Sequence, residues 1–147
     1  MPAGDRTDPY RNFRYLVEID GIAQAGFSEA TIPDSTQEPI EYREGNESPT
    51  VRKLPGLTKY GNVSLKWGIT DSLDLYDWRK LVEQGKMKDA RRNMAIILLN
   101  EEGSPTARWE FTDAWPSKYD APDLNAKGTD IAIETLEIVH EGMIRVS

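Results

Sequence analysis

The chain has 147 residues, of which 38% are apolar and 29% charged, and its formal net charge is −7 at pH 7. A chain of this length can bury a core as a single domain, and none of its apolar runs approaches the roughly 18 residues that a membrane span needs. The absence of cysteine excludes disulfides, thiolate metal sites and cysteine nucleophiles. The acidic net charge argues against nucleic-acid binding through a broad basic surface.

The first residues of the sequence, MPAGDRTDPYRNF, carry neither the apolar stretch nor the small-residue cleavage pattern of a secretory signal. We therefore expect the protein to be made in the cytoplasm without a signal peptide. Residues 1–10 are small and polar and include Pro2 and Pro9. This composition predicts a flexible lead-in to a single domain that spans residues 1–147.

Alternation of apolar and polar residues predicts the strands of the first half of the chain. Residues 13–19 predict a strand with one buried face, and Asp20-Gly21 predicts a turn toward a weaker strand near residues 26–30. The same alternation at residues 40–43 and 63–67 predicts two further half-buried strands. A long connection rich in glycine, proline and charge lies between them.

This connection contains Gly45, Pro49, Pro55 and Gly56, which are too many breakers for a helix. A structureless segment of such length is unusual in a compact domain and is generally functional or disordered. We predict an extended, exposed arm over about residues 43–60 that contacts another protein chain through apolar groups and paired charges. The expected contact residues are Arg43, Glu44, Glu47, Val51, Arg52, Lys53, Leu54, Leu57, Lys59 and Tyr60.

Residues 72–84 carry the signals of a helix. N-cap oxygens precede the segment at residues 70–72, Asp74 and Asp77 lie in its early turns, and Gly85 follows it as a stop. Trp78 lies on its apolar stripe. We predict one flanking α-helix at about residues 72–84, with Trp78 packed against the sheet.

The second half of the chain predicts more strands. Residues 94–99, MAIILL, predict a strand covered on both faces, with residues 107–112 as its antiparallel partner. Residues 115–128 predict an ordered loop. The apolar parity of residues 130–146 changes between Ile133 and Leu136, which predicts a bulge near Glu134-Thr135. The chain is therefore predicted to be mainly β, a small β-barrel or sandwich of antiparallel strands with one helix.

Candidate chemistry is sparse. His140 is the only histidine, so a histidine-rich metal site is excluded and a structural or interface role is favoured. Asp71, Asp74 and Asp77 recur every three residues, a pattern that helix capping explains more simply than a cation site does. The sequence contains neither a nucleophile elbow nor a phosphate-binding loop. We expect no enzymatic activity, no cofactor and no bound metal.

The tryptophans suggest one alternative function, the binding of a small molecule such as a sugar. Trp67, Trp109 and Trp115 together would give a monomeric β-sandwich a sugar-binding face. Trp67 and Trp109 alternate with polar residues as core tryptophans do, which favours packing over glycan binding.

Several long segments of the sequence resemble the tail-tube proteins of contractile phages and phage-derived contractile injection systems, which are related to the type VI secretion tube ring protein. These segments are DPYRNFRYLVEIDG, AGFSE, EYREGNES, LPGLTKYGNVSLKWGITD, YDWRK, ARWEFTDAWPSKYDAPDLNAKG and IAIETLEIVHEG. The resemblance implies a small β-barrel with a flanking helix that forms hexameric rings. The rings stack into a hollow tube inside a contractile sheath, and the arm reaches the neighbouring ring.

The resemblance also implies a structural function without catalysis. The protein would be the subunit of a conduit for protein effectors or phage DNA. Its implied partners are further copies of itself, the sheath protein, and the baseplate or spike and terminator proteins, with no direct insertion into a membrane. Its implied location is a phage tail or an injection particle assembled in a bacterium and released from it.

Overall fold

The computed structural model describes residues 14–22, 26–43, 45, 51–124, 126, 128 and 131–147. Within these ranges the chain forms nine strands and two helices. In chain order they are β1 (Tyr15–Ile19), β2 (Phe27–Thr31), β3 (Ser35–Tyr42), β4 (Arg52–Tyr60), β5 (Val63–Gly68), α1 (Asp74–Glu83), α2 (Met87–Ala90), β6 (Arg92–Leu99), β7 (Pro105–Asp120), β8 (Ile133–Val139) and β9 (Gly142–Arg145). The predicted lead-in over residues 1–10 lies outside the described ranges.

The strands of the main body are antiparallel and follow the order β1-β6-β7-β8-β5-β2, with β9 also paired to β7. Strand β7 is 16 residues long and belongs to both halves of this arrangement. Residues 105–114 pair with β6, whereas residues 115–120 pair with β8. The sheet does not close on itself. Of the two predicted architectures, the sandwich is confirmed and the barrel is wrong.

A bulge in β7 marks the place where this strand passes from one half of the sandwich to the other. Asp113 has a positive φ of 49°, and its N–H donates to the Asn93 side chain at 3.3 Å. A second register shift follows between Pro116 and Lys118. By contrast, β8 pairs with β5 without any shift. The bulge predicted near Glu134-Thr135 is therefore wrong, and the sheet bends at β7 instead. The last part of the chain, predicted as a single strand, divides into two strands, β8 and β9.

The predicted loop over residues 115–128 is also wrong for residues 115–120, which continue β7. Pro116 in this segment suggested a loop, since proline cannot donate a hydrogen bond to a neighbouring strand. In the structure Pro116 lies beside the register shift, where a missing donor is tolerated.

The core lies between the two halves of the sandwich. It is built from alternating residues of the central strands, which are buried almost completely: Val63, Leu65, Trp67, Met94, Ile96, Phe111, Leu136 and Ile138. Helix α1 covers it with Leu75 and Trp78, and the indole Nε1 of Trp78 donates to the Ala90 carbonyl at 2.6 Å. The predicted packing of Trp78 is confirmed.

Strand β6 is buried on both faces, as MAIILL predicts. Met94 and Ile96 face the core, and Ala95 and Ile97 on the opposite face are also buried. Arg108 on β7 reaches across β6 to Glu18 on β1, with 3.2 Å between its Nη1 and Oε2. The long side chains of this ion pair shield the outer apolar residues of β6 from water.

The helix predicted over residues 72–84 is observed over Asp74–Glu83. Its end is set by Gly85, which has a φ of +78°, a conformation that glycine adopts without strain. A second helix of four residues, α2, follows it before β6 begins.

Candidate interaction surface

Strands β3 and β4 form a two-stranded sheet of their own, which we call the hairpin. The strands are antiparallel, with Tyr42 opposite Arg52 at one end and Ser35 opposite Tyr60 at the other. The predicted arm over residues 43–60 is extended and exposed at residues 52–60, but these residues form a paired strand and not a structureless segment. Pro55 is accommodated because it lies directly opposite Pro39 in a sheet whose two strands are both edges.

The hairpin is exposed to solvent. Every residue of β3 is exposed, and in β4 only Gly56 and Tyr60 are partly covered. A strand of nine residues extends for about 30 Å at roughly 3.4 Å per residue. Most of the hairpin's residues are therefore open to solvent on both of its faces.

One face of the hairpin carries several exposed apolar side chains. Ile40 and Leu54 form a cross-strand pair with Tyr42 beside them on the same face, and Ile40 and Leu54 are 55% and 47% exposed. Leu57 is 80% exposed. It shares this face with Lys59, whose Nζ contacts the Glu38 carboxylate at 3.1 Å. We call the residues Ile40, Tyr42, Leu54 and Leu57 the hairpin stripe.

A bulge at Gly56 sets the position of Leu57. The register shifts between Gln37 and Pro39 of β3, so that Gly56 and Leu57 are both opposite Glu38. A Cβ atom on Gly56 would lie 2.5 Å from the backbone oxygen of Glu38. Only glycine fits at this position without a shift of the backbone.

The predicted contact residues are separated by this geometry. The face of the stripe carries Arg52, Leu54, Leu57 and Lys59. Lys53 lies on the opposite face, directly across from Glu41 on β3. Three others lie near the ends of the hairpin: Arg43, Val51 and Tyr60. Glu44 and Glu47 lie outside the residues that the structure describes.

The base of the hairpin is fixed to the body through His140. Its Nε2 is 3.1 Å from the Gly61 carbonyl oxygen, which can only accept, so Nε2 carries the proton. The imidazole ring lies 5.5 Å from the Tyr60 ring and 5.0 Å from the Phe111 ring. The N–H of Gly61 donates to the Asp34 carbonyl at 3.0 Å. These contacts connect both strands of the hairpin to the core.

A second exposed apolar region, which we call the α1 cleft, lies where β5 leads into α1. The cleft has a volume of about 270 Å³, and its walls include Trp67, Ile69, Leu73, Tyr76 and Tyr119. Ile69 and Leu73 are 51% and 61% exposed. We had interpreted residues 70–72 only as helix-capping signals. The exposed apolar residues on either side of them are the signal that we missed.

A short hydrogen bond stabilises one wall of the α1 cleft. The Tyr119 hydroxyl donates to the Glu134 carboxylate. Burial, followed by this hydrogen bond, raises the pKa of Tyr119 to about 12. The Tyr76 ring meets the Tyr119 ring edge to face, with 5.3 Å between ring centroids. The wall is therefore aromatic and is braced by a fixed carboxylate.

The described part of the chain offers little for catalysis or ligand chemistry. No group of three or more histidine or acidic side chains there is arranged to hold a metal ion. Trp67 is 3% exposed and belongs to the core, and the Trp109 ring is stacked under the Arg145 guanidinium at 5.5 Å. These two tryptophans therefore do not form the exposed sugar-binding face of the alternative hypothesis.

Among the residues that the structure describes, neither helix has the length and apolar character needed to cross a membrane.

An antiparallel sandwich that projects an exposed apolar hairpin, without a catalytic group in its described parts, is typical of structural proteins that assemble through their own surfaces. The chain belongs to the family of the T4-like virus tail tube protein gp19, whose family model matches residues 11–144. It is a structural tail tube protein and not an enzyme.

Solved structures share this fold. A chain in the cryo-EM structure of the anti-feeding prophage (AFP) baseplate has a TM-score of 0.80 and 24% identity, covering 96% of this chain and 97% of that chain. A chain in the sheath-tube complex of the PVC extracellular contractile injection system has a TM-score of 0.78 and 22% identity, covering 95% and 92%. Hcp1 from Flavobacterium johnsoniae has a TM-score of 0.61 and 17% identity, covering 90% and 94%. No curated protein sequence matches the chain.

Proposed function

We propose that this chain is the repeating subunit of the inner tube of a contractile tail or injection system. In this proposal it acts as a single tail-tube domain over residues 1–147 and forms hexameric rings. The rings stack into a conduit for protein effectors or DNA. The observation that carries the proposal is the hairpin, on which Ile40, Leu54 and Leu57 are exposed to solvent.

The physical argument concerns stability. An isolated two-stranded hairpin is marginally stable in water, and its exposed edges and apolar groups favour association. Burial of the hairpin stripe against another subunit removes this apolar area from water, at roughly 25 cal/mol per Å². The hairpin is therefore best explained as an element that is completed by assembly.

The contact surface proposed for ring stacking is centred on Leu54 and Leu57, with charged residues around them fixing the register between subunits. The full proposed set is Arg43, Glu44, Glu47, Val51, Arg52, Lys53, Leu54, Leu57, Lys59 and Tyr60.

The proposed partners and location follow from the solved relatives. Their structures are described as a baseplate, a sheath-tube complex in the extended state, a sheath/tube terminator and a tube-terminating cap. We propose equivalent partners for this chain: a surrounding sheath protein, a baseplate or spike, and a terminator. The assembled tube would belong to a phage tail or to an extracellular injection particle, without inserting directly into a membrane.

Leu57→Asp tests the role of the hairpin. The side chain is 80% exposed, so the subunit is expected to fold normally, while a carboxylate buried between copies strongly opposes stacking. We expect the sedimentable tube fraction to fall by at least about tenfold, which corresponds to roughly 1.4 kcal/mol. Negative-stain imaging and sedimentation measure tube formation, and circular dichroism monitors the fold.

Leu57→Met is the matched control, because it keeps an apolar side chain of similar size. Tubes of normal length from Leu57→Asp would contradict the role of the hairpin. If purified wild-type protein stays monomeric at high concentration in the absence of the sheath protein, the proposal that this chain forms a tube is contradicted.

A further inference from the structure

The hairpin and the α1 cleft lie at opposite ends of the same strand. The hairpin leaves through Tyr60 just before β5 begins at Val63, and β5 ends at Gly68, next to Ile69 in the cleft. A strand of six residues separates its ends by about 17 Å. The base of the hairpin and the cleft therefore lie at different ends of β5.

Strand β8 gives the same polarity independently. It is antiparallel to β5, with Gly68 opposite Ile133 at the cleft end and Val63 opposite Ile138 at the hairpin end. Glu134, in the cleft wall, follows Ile133, whereas His140, at the hairpin base, follows the last residue of β8. Strands β5 and β8 therefore both extend between the end of the sandwich that carries the hairpin and the end that carries the cleft.

We propose that the α1 cleft is the receptor for the hairpin stripe of a second copy of this chain. The inference rests on the proposed stacking function and adds the acceptor surface to it. Donor and acceptor surfaces on different parts of the chain make a heterologous contact, which builds an open stack when its rotation does not close into a ring. In this proposal the contact extends the stack along its axis.

The apolar chemistry of the two surfaces matches. Ile69 and Leu73 project at the mouth of the cleft, with Trp67 and Leu75 beneath them and aromatic rings forming the wall. The stripe offers aliphatic side chains, of which Leu57 is the most exposed. Aliphatic groups inserted against aromatic walls are typical of the well-packed centres of protein interfaces.

The charges also match. The residues that line the cleft include Glu134 but no lysine or arginine, and the exposed residues Asp71 and Asp74 lie next to the lining residues Ser72 and Leu73 in the sequence. Strand β4 carries three cations, Arg52, Lys53 and Lys59, and β3 carries two anions, Glu38 and Glu41, of which Glu38 contacts Lys59. At the cleft, Lys80 lies over the Tyr76 ring at 5.3 Å and is outnumbered by the three carboxylates. The opposite signs of these excess charges favour this pairing over contact between two hairpins or two clefts.

Cysteine cross-linking tests the pairing directly, because the natural chain has no cysteine. A Leu57→Cys/Leu73→Cys double variant carries one thiol on the donor and one on the acceptor, both at exposed positions. On oxidation with diamide we expect a ladder of disulfide-linked multimers on a non-reducing gel, which reduction returns to monomer. A short bismaleimide is used in parallel, so that thiols too far apart for a disulfide are also captured.

Leu57→Cys/Ile144→Cys is the matched control, because Ile144 on β9 is 61% exposed, as is Leu73, and lies outside the cleft. A ladder from the control but not from the cleft variant would overturn the receptor. The receptor would also be overturned if electron microscopy showed tubes of both variants while the cleft variant gave no ladder. If wild-type protein forms no tubes and no variant cross-links, the proposed function itself fails.

A second measurement is independent of thiol geometry. Leu73→Asp is expected to reduce the sedimentable fraction by at least tenfold, whereas Leu73→Met is expected to retain it. Normal stacking by Leu73→Asp would contradict the receptor even if the hairpin is required.

Discussion

The fold raises the pKa of the Tyr119 hydroxyl. Burial and the hydrogen bond to Glu134 raise its pKa to about 12, from an ordinary value of 10.0. Below pH 10 the folded and unfolded chains both hold the proton, so its stabilising contribution is fully present. Between pH 10 and 12 the unfolded chain releases the proton first, and the contribution is lost as pH rises.

We therefore predict that Tyr119→Phe loses less stability than the wild type does between about pH 9 and about pH 11. Urea denaturation of both proteins at the two pH values measures the difference. Comparison with the wild type removes the effect of other groups that titrate in this range. An equal decrease in the free energy of unfolding would contradict the prediction.

His140 shows how a single residue acquires its meaning from its surroundings. As the only histidine it argued against metal binding and catalysis, and a structural or interface role was favoured. The structure places it under the hairpin, where its Nε2 binds the Gly61 carbonyl and its buried Nδ1 makes no hydrogen bond. It is a structural residue at the point where the projecting element meets the core.

At the scale of elements, the hairpin depends on its glycine bulge. We predict that Gly56→Ala disrupts the pairing of β3 with β4, because the added Cβ would lie 2.5 Å from a backbone oxygen that cannot move independently. The expected result is faster proteolysis within residues 35–60 and a loss of tube assembly. The melting temperature of the body is expected to change little, since the hairpin lies outside the core.

Limited proteolysis with mass spectrometry locates the cleavage sites, and calorimetry follows the body. Gly45→Ala is the control, because a Cβ at Gly45 meets nothing within 4 Å. If Gly56→Ala resists protease as well as Gly45→Ala does, the bulge is not required for the hairpin.

At the scale of the whole molecule, the net charge of −7 opposes assembly through repulsion between copies. Salt screens this repulsion, with a Debye length that falls from about 10 Å at 0.1 M to about 3 Å at 1 M. The same screening weakens exposed ion pairs at the hairpin, which contribute little individually. Burial of the hairpin stripe is not weakened by salt.

We therefore predict that assembled tubes persist when NaCl is raised from about 0.1 M to about 1 M. Sedimentation and electron microscopy across the series provide the measurement. Dissolution of the tubes at high salt would show that ion pairs, rather than the apolar stripe, hold the copies together.

Much of the body could be predicted because its signals are local. Alternation at residues 63–67 placed Val63, Leu65 and Trp67 in the core, and the uninterrupted apolar run of β6 indicated burial on both faces. Asp74 and Asp77 in the first turn and Gly85 after the last turn placed the helix within two residues of its observed bounds. The predicted side-chain cap is wrong, because the N-cap residue is Leu73, which makes no such hydrogen bond. Apart from this cap, the residues that give the signal also form the structure.

The hairpin and the long β7 could not be predicted in this way. Proline in both segments, together with glycine in the hairpin, indicates loops when the sequence is considered alone, yet Pro55 is opposite Pro39 and Pro116 lies beside a register shift. Whether a breaker ends a strand depends on which residue faces it from a distant segment. Sequence spacing does not contain that information.

The sequence by itself determined a β-rich chain with one main helix, through periodicity, composition and local turn chemistry. Its resemblance to tail-tube proteins implied a structural rather than catalytic function. Only the tertiary structure decided that residues 52–60 of the arm belong to an ordered hairpin with exposed apolar side chains on one face. Only the tertiary structure likewise placed a cleft, lined by apolar residues and Glu134, at the other end of β5. Both depend on strand register, which is set by pairing between residues far apart in the chain.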